Sequence, residues 1–333
     1  MLIQKPSYYD SFRCIAGDCP DSCCRDWAVQ VDDSSAAFYR SLPGGLGDRL
    51  RQVLVEEEGE TVMTIVDGRC PMWREDGLCR IQAELGEGAL CRVCREFPRL
   101  RHEYGDFLEL GLELSCPEAA RLILSDRDGT LVCVETNGGE TAEYDTQAME
   151  VLKSTRAGAL ELLDGRYAAN DALSALLLYG YQAQEQLDGG EAAVDRYSKD
   201  MARCMAKPGN PRLFGSFFKE LEILTPQWAR LLEQLGAPRL TPVHLALARY
   251  LVNRYWLQAV ADYDLVCRVK FVVICCLLVS MLPGDPMETA QLFSKEIEND
   301  VDNVDAILDG AYTCPAFTDE LLLGLCLWGS PEG

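Results

Sequence analysis

The chain has 333 residues, 48% of them hydrophobic, and a formal net charge of −22. That is apolar material for one large or two ordinary domains without help from disulfides. The acidic balance excludes a nucleic-acid binder, which needs Lys and Arg in excess on at least one face; it favours a cationic partner such as an exposed lysine, and otherwise serves solubility.

The first residues, MLIQKPSYYDSFRC, carry a lysine but no apolar run of signal-peptide length, so the expected compartment is the reducing cytoplasm. Nine of the sixteen cysteines then follow as one series: Cys14, Cys19, Cys23, Cys24, Cys70, Cys79, Cys91, Cys94 and Cys116. In a reducing compartment such a series is metal-binding or redox-active more often than it is a set of bridges. The turn pairs Asp67-Gly68, Asp76-Gly77 and Asp128-Gly129 punctuate the region, with strands expected at Thr61 to Val66, Phe107 to Leu114 and Leu131 to Glu135. Gly44-Gly45-Leu46-Gly47 reads as a loop, and no Gly-x-Gly-x-x-Gly turn marks a Rossmann crevice.

Asn137-Gly138-Gly139 reads as a boundary, which divides the chain into a Cys-rich metal-binding domain over 1–136 and a helical domain over 140–333. The fold class expected is mainly α, with a few short strands confined to the first domain. Beyond the boundary, Leu173, Leu176, Leu177 and Tyr181 recur at helical spacing. Thr225-Pro226, Thr241-Pro242 and Asp285-Pro286 each place a capping residue before a proline at the first helical position. Phe271 to Leu282 is an apolar run ended by Pro283-Gly284, too short to span a bilayer and suited to a buried helix. No stretch reads as a membrane span. Cys133, Cys204, Cys267, Cys275, Cys276, Cys314 and Cys326 sit among apolar neighbours and read as small core residues.

Only His102 and His244 are present, so a catalytic zinc held by several imidazoles cannot be assembled, and any centre must be mainly thiolate. Soft sulfur ligands fit structural zinc or an iron–sulfur cluster. Cys14-x4-Cys19-x3-Cys23-Cys24 matches neither paired zinc knuckles nor a ferredoxin run, and adjacent Cys23-Cys24 leaves open two centres or one centre with a free thiol. Arg95, Arg99 and Arg101 either anchor a cofactor carboxylate or neutralise a thiolate centre.

Three stretches together resemble the flagellin lysine-N-methylase family, FliB: QKPSYYDSFRCIAGDCPDSCCRDW at 4–27; GRCPMWREDGLCRIQAELGEGALCRVCREFPR at 68–99 with LELSCPEAARLIL at 112–124; and SKEIENDVDNVDAIL at 294–308. The middle element is also similar to a wider group of zinc- or iron-chelating cysteine-cluster proteins. The resemblance implies methyl transfer from S-adenosylmethionine to lysine side chains of flagellin or another protein, and an iron–sulfur cluster, 4Fe-4S in kind. It places metal ligands at Cys14, Cys19, Cys23, Cys24, Cys70, Cys79, Cys94 and Cys116, with Cys91 as an extra. Arg95, Arg99 and Glu296 are the candidate cofactor contacts. Tyr8, Tyr9, Glu296 and Glu298 are candidate bases for a reaction that needs a neutral lysine nitrogen. Two other classes remain open from the residues themselves: a zinc-stapled protein-interaction module without catalysis, and an electron-transfer iron–sulfur protein.

Overall fold

The computed structural model describes residues 1–25, 29–57, 59–127, 129–136, 141–190 and 199–329. The Asn137-Gly138-Gly139 segment and Asp128 lie outside the described residues. The strands are β1 (Leu2–Pro6), β2 (Val29–Gln30), β3 (Leu54–Glu57), β4 (Glu60–Met63), β5 (Arg99–Glu103), β6 (Phe107–Leu112) and β7 (Leu131–Glu135). They form two sheets, ordered β5-β6-β1-β7 and β2-β4-β3. The rest of the regular structure is helical, so the protein is mainly α with some strands.

Two compact units emerge, one comprising Met1–Ser11, Arg101–Ser115 and Ala120–Gly333, the other Phe12–Leu100 with Cys116–Ala119. All nine cysteines of the N-terminal series fall in the smaller unit.

In the smaller unit, β4 runs antiparallel to both β2 and β3, with Met63 opposite Val29 on one side and Leu54 on the other. The helix Asp33–Ser41 starts where Asp32 accepts the Ser35 N–H at 3.0 Å, filling one of the backbone donors that a helix start leaves unpaired. That helix turns Ala36 and Tyr39 inward onto Leu50, Met63, Met72 and Ile81, and the thiols Cys70 and Cys91 belong to the same core. Tyr39 keeps its buried hydroxyl satisfied by donating to the Ala89 carbonyl at 2.7 Å.

The larger unit is built on the helix Leu265–Met281, every residue of which is buried. Its apolar run has no polar face, as expected of a helix enclosed on all sides; the helices Ala169–Leu187, Pro242–Tyr255 and Val301–Thr313 pack against it. Its two cations are paired, Arg268 with Asp262 at 2.8 Å and Lys270 with Asp319 at 3.2 Å. The helices that begin at Pro226, Pro242 and Pro286 take Thr225, Thr241 and Asp285 as their caps, as the cap–proline pairs predict. His244 closes the second of these caps by accepting the Thr241 N–H at 3.0 Å on Nδ1, and burial lowers its pKa to about 4, so it is a neutral structural group. In the mixed sheet β1 lies centrally, parallel to β6 and antiparallel to β7.

The first 136 residues are more helical than a reading as loops and short strands predicts, with helices at Asp33–Ser41, Gly44–Val53, Arg80–Leu85, Arg92–Glu96 and Pro117–Ser125. Gly44-Gly45-Leu46-Gly47 opens a helix rather than a loop; Gly44 takes a φ of +76°, and a Cβ on Gly47 would stand 1.9 Å from the Leu42 carbonyl oxygen. The strand expected at Thr61 to Val66 stops at Met63. Of the seven scattered cysteines, Cys267, Cys275, Cys276 and Cys326 are buried, whereas Cys133 on β7 and Cys204 near the end of the helix Lys199–Met205 are exposed.

Candidate metal centre

No disulfide joins any of the sixteen cysteines. Cys14 precedes a short 3-10 turn and accepts the Ala16 N–H on Sγ at 3.4 Å, while Cys19, at the end of that turn, donates to the Asp21 carbonyl at 3.2 Å. The Cys24 carbonyl accepts the Cys70 N–H at 2.8 Å, which joins the first cysteine segment to the second through the backbone. Cys79 and Cys91 are the N-caps of the short helices Arg80–Leu85 and Arg92–Glu96, and Cys94 lies one turn into the latter. Cys116 stands immediately before the helix Pro117–Ser125.

Thiols of the two ends meet in the middle at Cys23-Cys24. The Cys23 and Cys70 thiols beside Cys24 hold it well below the usual thiol range and are themselves pushed up, and the Cys70 thiol also points to Met63 Sδ at 3.4 Å. Cys91 is likewise drawn down by the Cys94 thiol. Cys14 and Cys116 are charge neighbours of Cys23, Cys24 and Cys91 of Cys79, and Cys23 and Cys24 of Cys94. Burial pushes Cys116 up to about 11, with Cys19 and Cys14 adding to the shift. The nine sulfurs thus form one chain of neighbours, and Cys91 stands within it through its pairing with Cys94. Its place follows from the C-x2-C spacing of Cys91 and Cys94, a signal that the resemblance to other chains had set aside.

A set of soft sulfur donors, two of them drawn toward thiolate, fits a thiolate-held zinc or iron–sulfur cluster in donor chemistry. Among the described residues no three or more Cys, His, Asp or Glu side chains converge as a ligand shell.

Cations flank the sulfurs. Arg25 and Arg69, each next to a cysteine of the series, pair as a backbone bridge and both place their guanidinium carbon 4.9 Å from the Trp73 ring centroid. Trp73 in turn bridges Cys79 through the backbone. The sequence pattern points to the later arginines instead. Of these, Arg95 reaches the Leu90 carbonyl at 3.5 Å and Arg99 lies over the Phe12 ring at 5.3 Å, both in the smaller unit with the cysteines. Arg101 belongs to the larger unit and pairs with Glu103.

Glu296 also belongs to the larger unit, where it is fully buried in a π-helical turn, Ser294–Glu298. Its carboxylate accepts the Leu224 N–H at 2.9 Å and the Thr225 hydroxyl, the cap of the helix Pro226–Glu233. Tyr8, in the same unit, has its phenol held far above the ordinary range by burial, so it stays protonated at neutral pH.

Comparison with known proteins supplies the kinship. The chain is 32% identical over 135 residues to the flagellar biosynthetic protein FliU of Salmonella muenchen, a match covering 38% of this chain and 80% of that protein. It is 30% identical over 143 residues to proteins named lysine-N-methylase from Salmonella typhimurium strain LT2 and Salmonella choleraesuis, covering 41% of this chain and 36% of each of theirs. The chain belongs to the flagellin lysine-N-methylase (FliB) family. It spans about a third of the length of the two lysine-N-methylases it matches, and most of FliU. No family model matches this FliB-like chain, and no solved structure does. Among its described residues no helix is long and apolar enough to cross a membrane.

Proposed function

We propose that the protein is a cytoplasmic, S-adenosylmethionine-dependent protein-lysine N-methyltransferase with a flagellin-type substrate, and that cysteines of the smaller unit hold an iron–sulfur cluster. The observation that carries this reading is the 30% identity to two proteins named lysine-N-methylase. The gathering of nine thiols in one unit supports the cluster, and the acidic chain suits a lysine-bearing partner.

Cys14, Cys19, Cys23, Cys24, Cys70, Cys79, Cys94 and Cys116 would hold the cluster, with Cys91 as a further donor. When bound, the cluster would supply an iron able to chelate the amino and carboxylate groups of the methionine moiety. Arg25, Arg69, Arg95 and Arg99 would offset the negative charge that thiolates leave around a metal, and the last two could also face the cofactor's carboxylate. The protein's remaining task is to present a neutral amine. The lysine nitrogen gives its lone pair to the methyl carbon, the carbon–sulfur bond breaks with its electrons staying on sulfur, and the resulting methylammonium releases one proton to water. Tyr8 cannot take that proton at neutral pH because its phenol is held far above the range.

The test is metal and sulfide analysis of protein purified without oxygen, followed by incubation with methyl-labelled S-adenosylmethionine and a flagellin fragment. Iron with matching sulfide, and label in N-methyl-lysine, is the expected outcome. Zinc alone in a colourless protein that transfers no label would replace this reading with a zinc-stapled binding module; reversible cluster reduction without affinity for S-adenosylmethionine would replace it with electron transfer.

A further inference from the structure

Buried polar groups of the larger unit differ in what they leave open. Glu298, whose side chain has no exposed surface, accepts from Tyr255 at 3.0 Å and from Tyr250 at 3.2 Å and meets Arg254 Nε at 3.3 Å. It is fully committed and offers nothing to a guest. Lys270, on the enclosed helix Leu265–Met281, is only 5% exposed and differs. Its ammonium brings three N–H donors to one carboxylate oxygen, Asp319 Oδ1, in an ion pair of 3.2 Å. No hydrogen bond from that ammonium to a described residue accompanies the ion pair, and the buried Asp319 Oδ1 accepts none either. The other oxygen of Asp319 is taken by the Tyr181 hydroxyl at 2.6 Å.

Lys270 and Asp319 line one cavity of about 210 Å³, together with Ala311, Tyr312, Phe317 and Glu320. Tyr312 spends its hydroxyl on Asp264 at 2.6 Å, so its ring joins Ala311 and Phe317 as apolar lining. Glu320 has its own counter-ion in Lys207 at 3.4 Å. The charges of the lining therefore already cancel, Lys270 against Asp319 and Lys207 against Glu320. A guest anion would bring a third negative charge beside the two carboxylates, and a guest cation would stand beside the Lys270 ammonium; either would leave the half-buried site unbalanced.

A zwitterion adds no net charge. Its carboxylate supplies the acceptor that the Lys270 ammonium lacks, and its ammonium supplies the donor that Asp319 Oδ1 lacks. The 3.2 Å between those two protein atoms suits an α-amino acid in particular, because its nitrogen and carboxylate oxygen, carried on one carbon, lie about 3 Å apart. The volume narrows the guest further. At about 210 Å³ the cavity is smaller than the roughly 300–1,000 Å³ of pockets that enclose drug-sized molecules, so it has room for the head and a short apolar side chain but not for a nucleoside as well.

We propose that this cavity binds a free α-amino acid with a short apolar side chain, its carboxylate on Lys270 and its ammonium on Asp319. The site goes beyond the methyltransferase reading and does not depend on it. The same head group is the methionine end of S-adenosylmethionine, a source that the volume disfavours and the experiment separates.

The experiment is calorimetric titration of the full chain with L-methionine, with methioninamide, which lacks the carboxylate charge, and with the des-amino acid, which keeps the stem and the carboxylate. L-Methionine should bind about tenfold or more tightly than either analogue, the worth of one charge-assisted hydrogen bond. Lys270→Met, close in length and without charge, should abolish methionine binding. Should that variant fail to fold, Asp319→Asn keeps an acceptor for Tyr181 and removes the charge facing the guest's ammonium; it should bind methionine no better than the des-amino acid. Methionine held no tighter than its analogues by the wild type overturns the proposal, and so does a preference over the des-amino acid that survives Asp319→Asn. S-adenosylmethionine titrated into the methionine-saturated protein identifies the source: methionine that stays bound supports the free amino acid, and its displacement overturns that occupant in favour of the cofactor's methionine end.

Discussion

Asp32 and Arg92 are joined by one hydrogen bond of 2.9 Å, from the Arg92 N–H to Asp32 Oδ2, across sixty positions of sequence. The other oxygen of the same carboxylate caps the helix Asp33–Ser41 through Ser35. One side chain thus starts two helices, and the second of them carries Cys94 with Cys91 as its cap.

The bond to Arg92 comes first among the contacts that hold the Asp32 carboxyl far below the usual carboxylate range, ahead of the one from Ser34. A depressed carboxyl contributes stability that is fully present above its unfolded value of about 4 and is lost as pH falls toward its folded value. Asp32→Ala should cost about 1–2 kcal/mol, a helix cap and a second backbone bond together. The deficit relative to wild type should shrink in acid. Denaturant unfolding of both proteins at pH 7 and pH 3 checks this, and an unchanged deficit at pH 3 would rule out the carboxylate as its source.

Cys24 sits at the junction of the thiol chain, with both Cys23 and Cys70 lowering its pKa. Cys24→Ser should lose most bound metal on anaerobic purification. Cys275→Ala, in the fully buried helix Leu265–Met281, removes a thiol more deeply buried than Cys24 and should leave metal content at the wild-type level. Equal metal loss in both variants would mean that the metal reports general folding and not ligation by the N-terminal series.

What the sequence discloses is what is encoded locally. A capping residue followed by proline determines a helix start within two positions, so the starts at Pro226, Pro242 and Pro286 are legible. The enclosed helix Leu265–Met281 announces itself by an apolar run with no polar face. Gly44 to Gly47 misleads because Gly47 serves a close approach to the Leu42 carbonyl and Gly44 a positive φ, which flexible-loop composition imitates. Strand β1, LIQKP, shows no alternation because its place is set by β6 and β7, more than a hundred residues onward. The thiol series is legible as a set of donors, while its hub at Cys24 depends on the distant Cys70. The network around Glu298 is legible only in part: Glu298 stands in the third stretch of the resemblance, whereas its partners Tyr250, Arg254 and Tyr255 lie more than forty residues earlier in a helix unremarkable by composition.

Gly180 shows how closely the central helix is approached. A Cβ there would fall 2.7 to 3.0 Å from three side-chain carbons of Val269, well inside contact distance. Gly180→Ala gains helix propensity of about 1 kcal/mol, yet the overpacking costs typically about 1–3 kcal/mol because Val269 is β-branched and has few rotamers in a helix. The net change should be destabilising, and Gly180→Ala with Val269→Ala should recover part of it. A thermal midpoint raised by Gly180→Ala alone would show that the two helices separate freely.

Arg156 and Glu109 form the most buried ion pair of the mixed sheet, 2.7 Å apart with side chains only 4% and 12% exposed. Arg156 also donates to Gln4 on β1 at 3.1 Å, so one guanidinium ties the helix Thr146–Leu162 to two strands. Burial is the larger influence on Glu109 and raises it above the ordinary value, with Arg156 opposing. Removing the cation therefore leaves a carboxylate with the full cost of burial, about 3–5 kcal/mol, as Arg156→Met should show. A raised carboxyl binds its proton more tightly in the folded state, so its contribution is most favourable below the unfolded value and declines as pH rises through the folded one. The deficit of Arg156→Met should accordingly be smaller at pH 5 than at pH 7. Pairing it with Glu109→Leu should restore much of the stability, since replacing both partners by apolar groups removes the stranded charge. Urea unfolding of the two single variants and the double variant completes the cycle; a double variant no more stable than Arg156→Met would show that the guanidinium acts through Gln4 and packing rather than through Glu109.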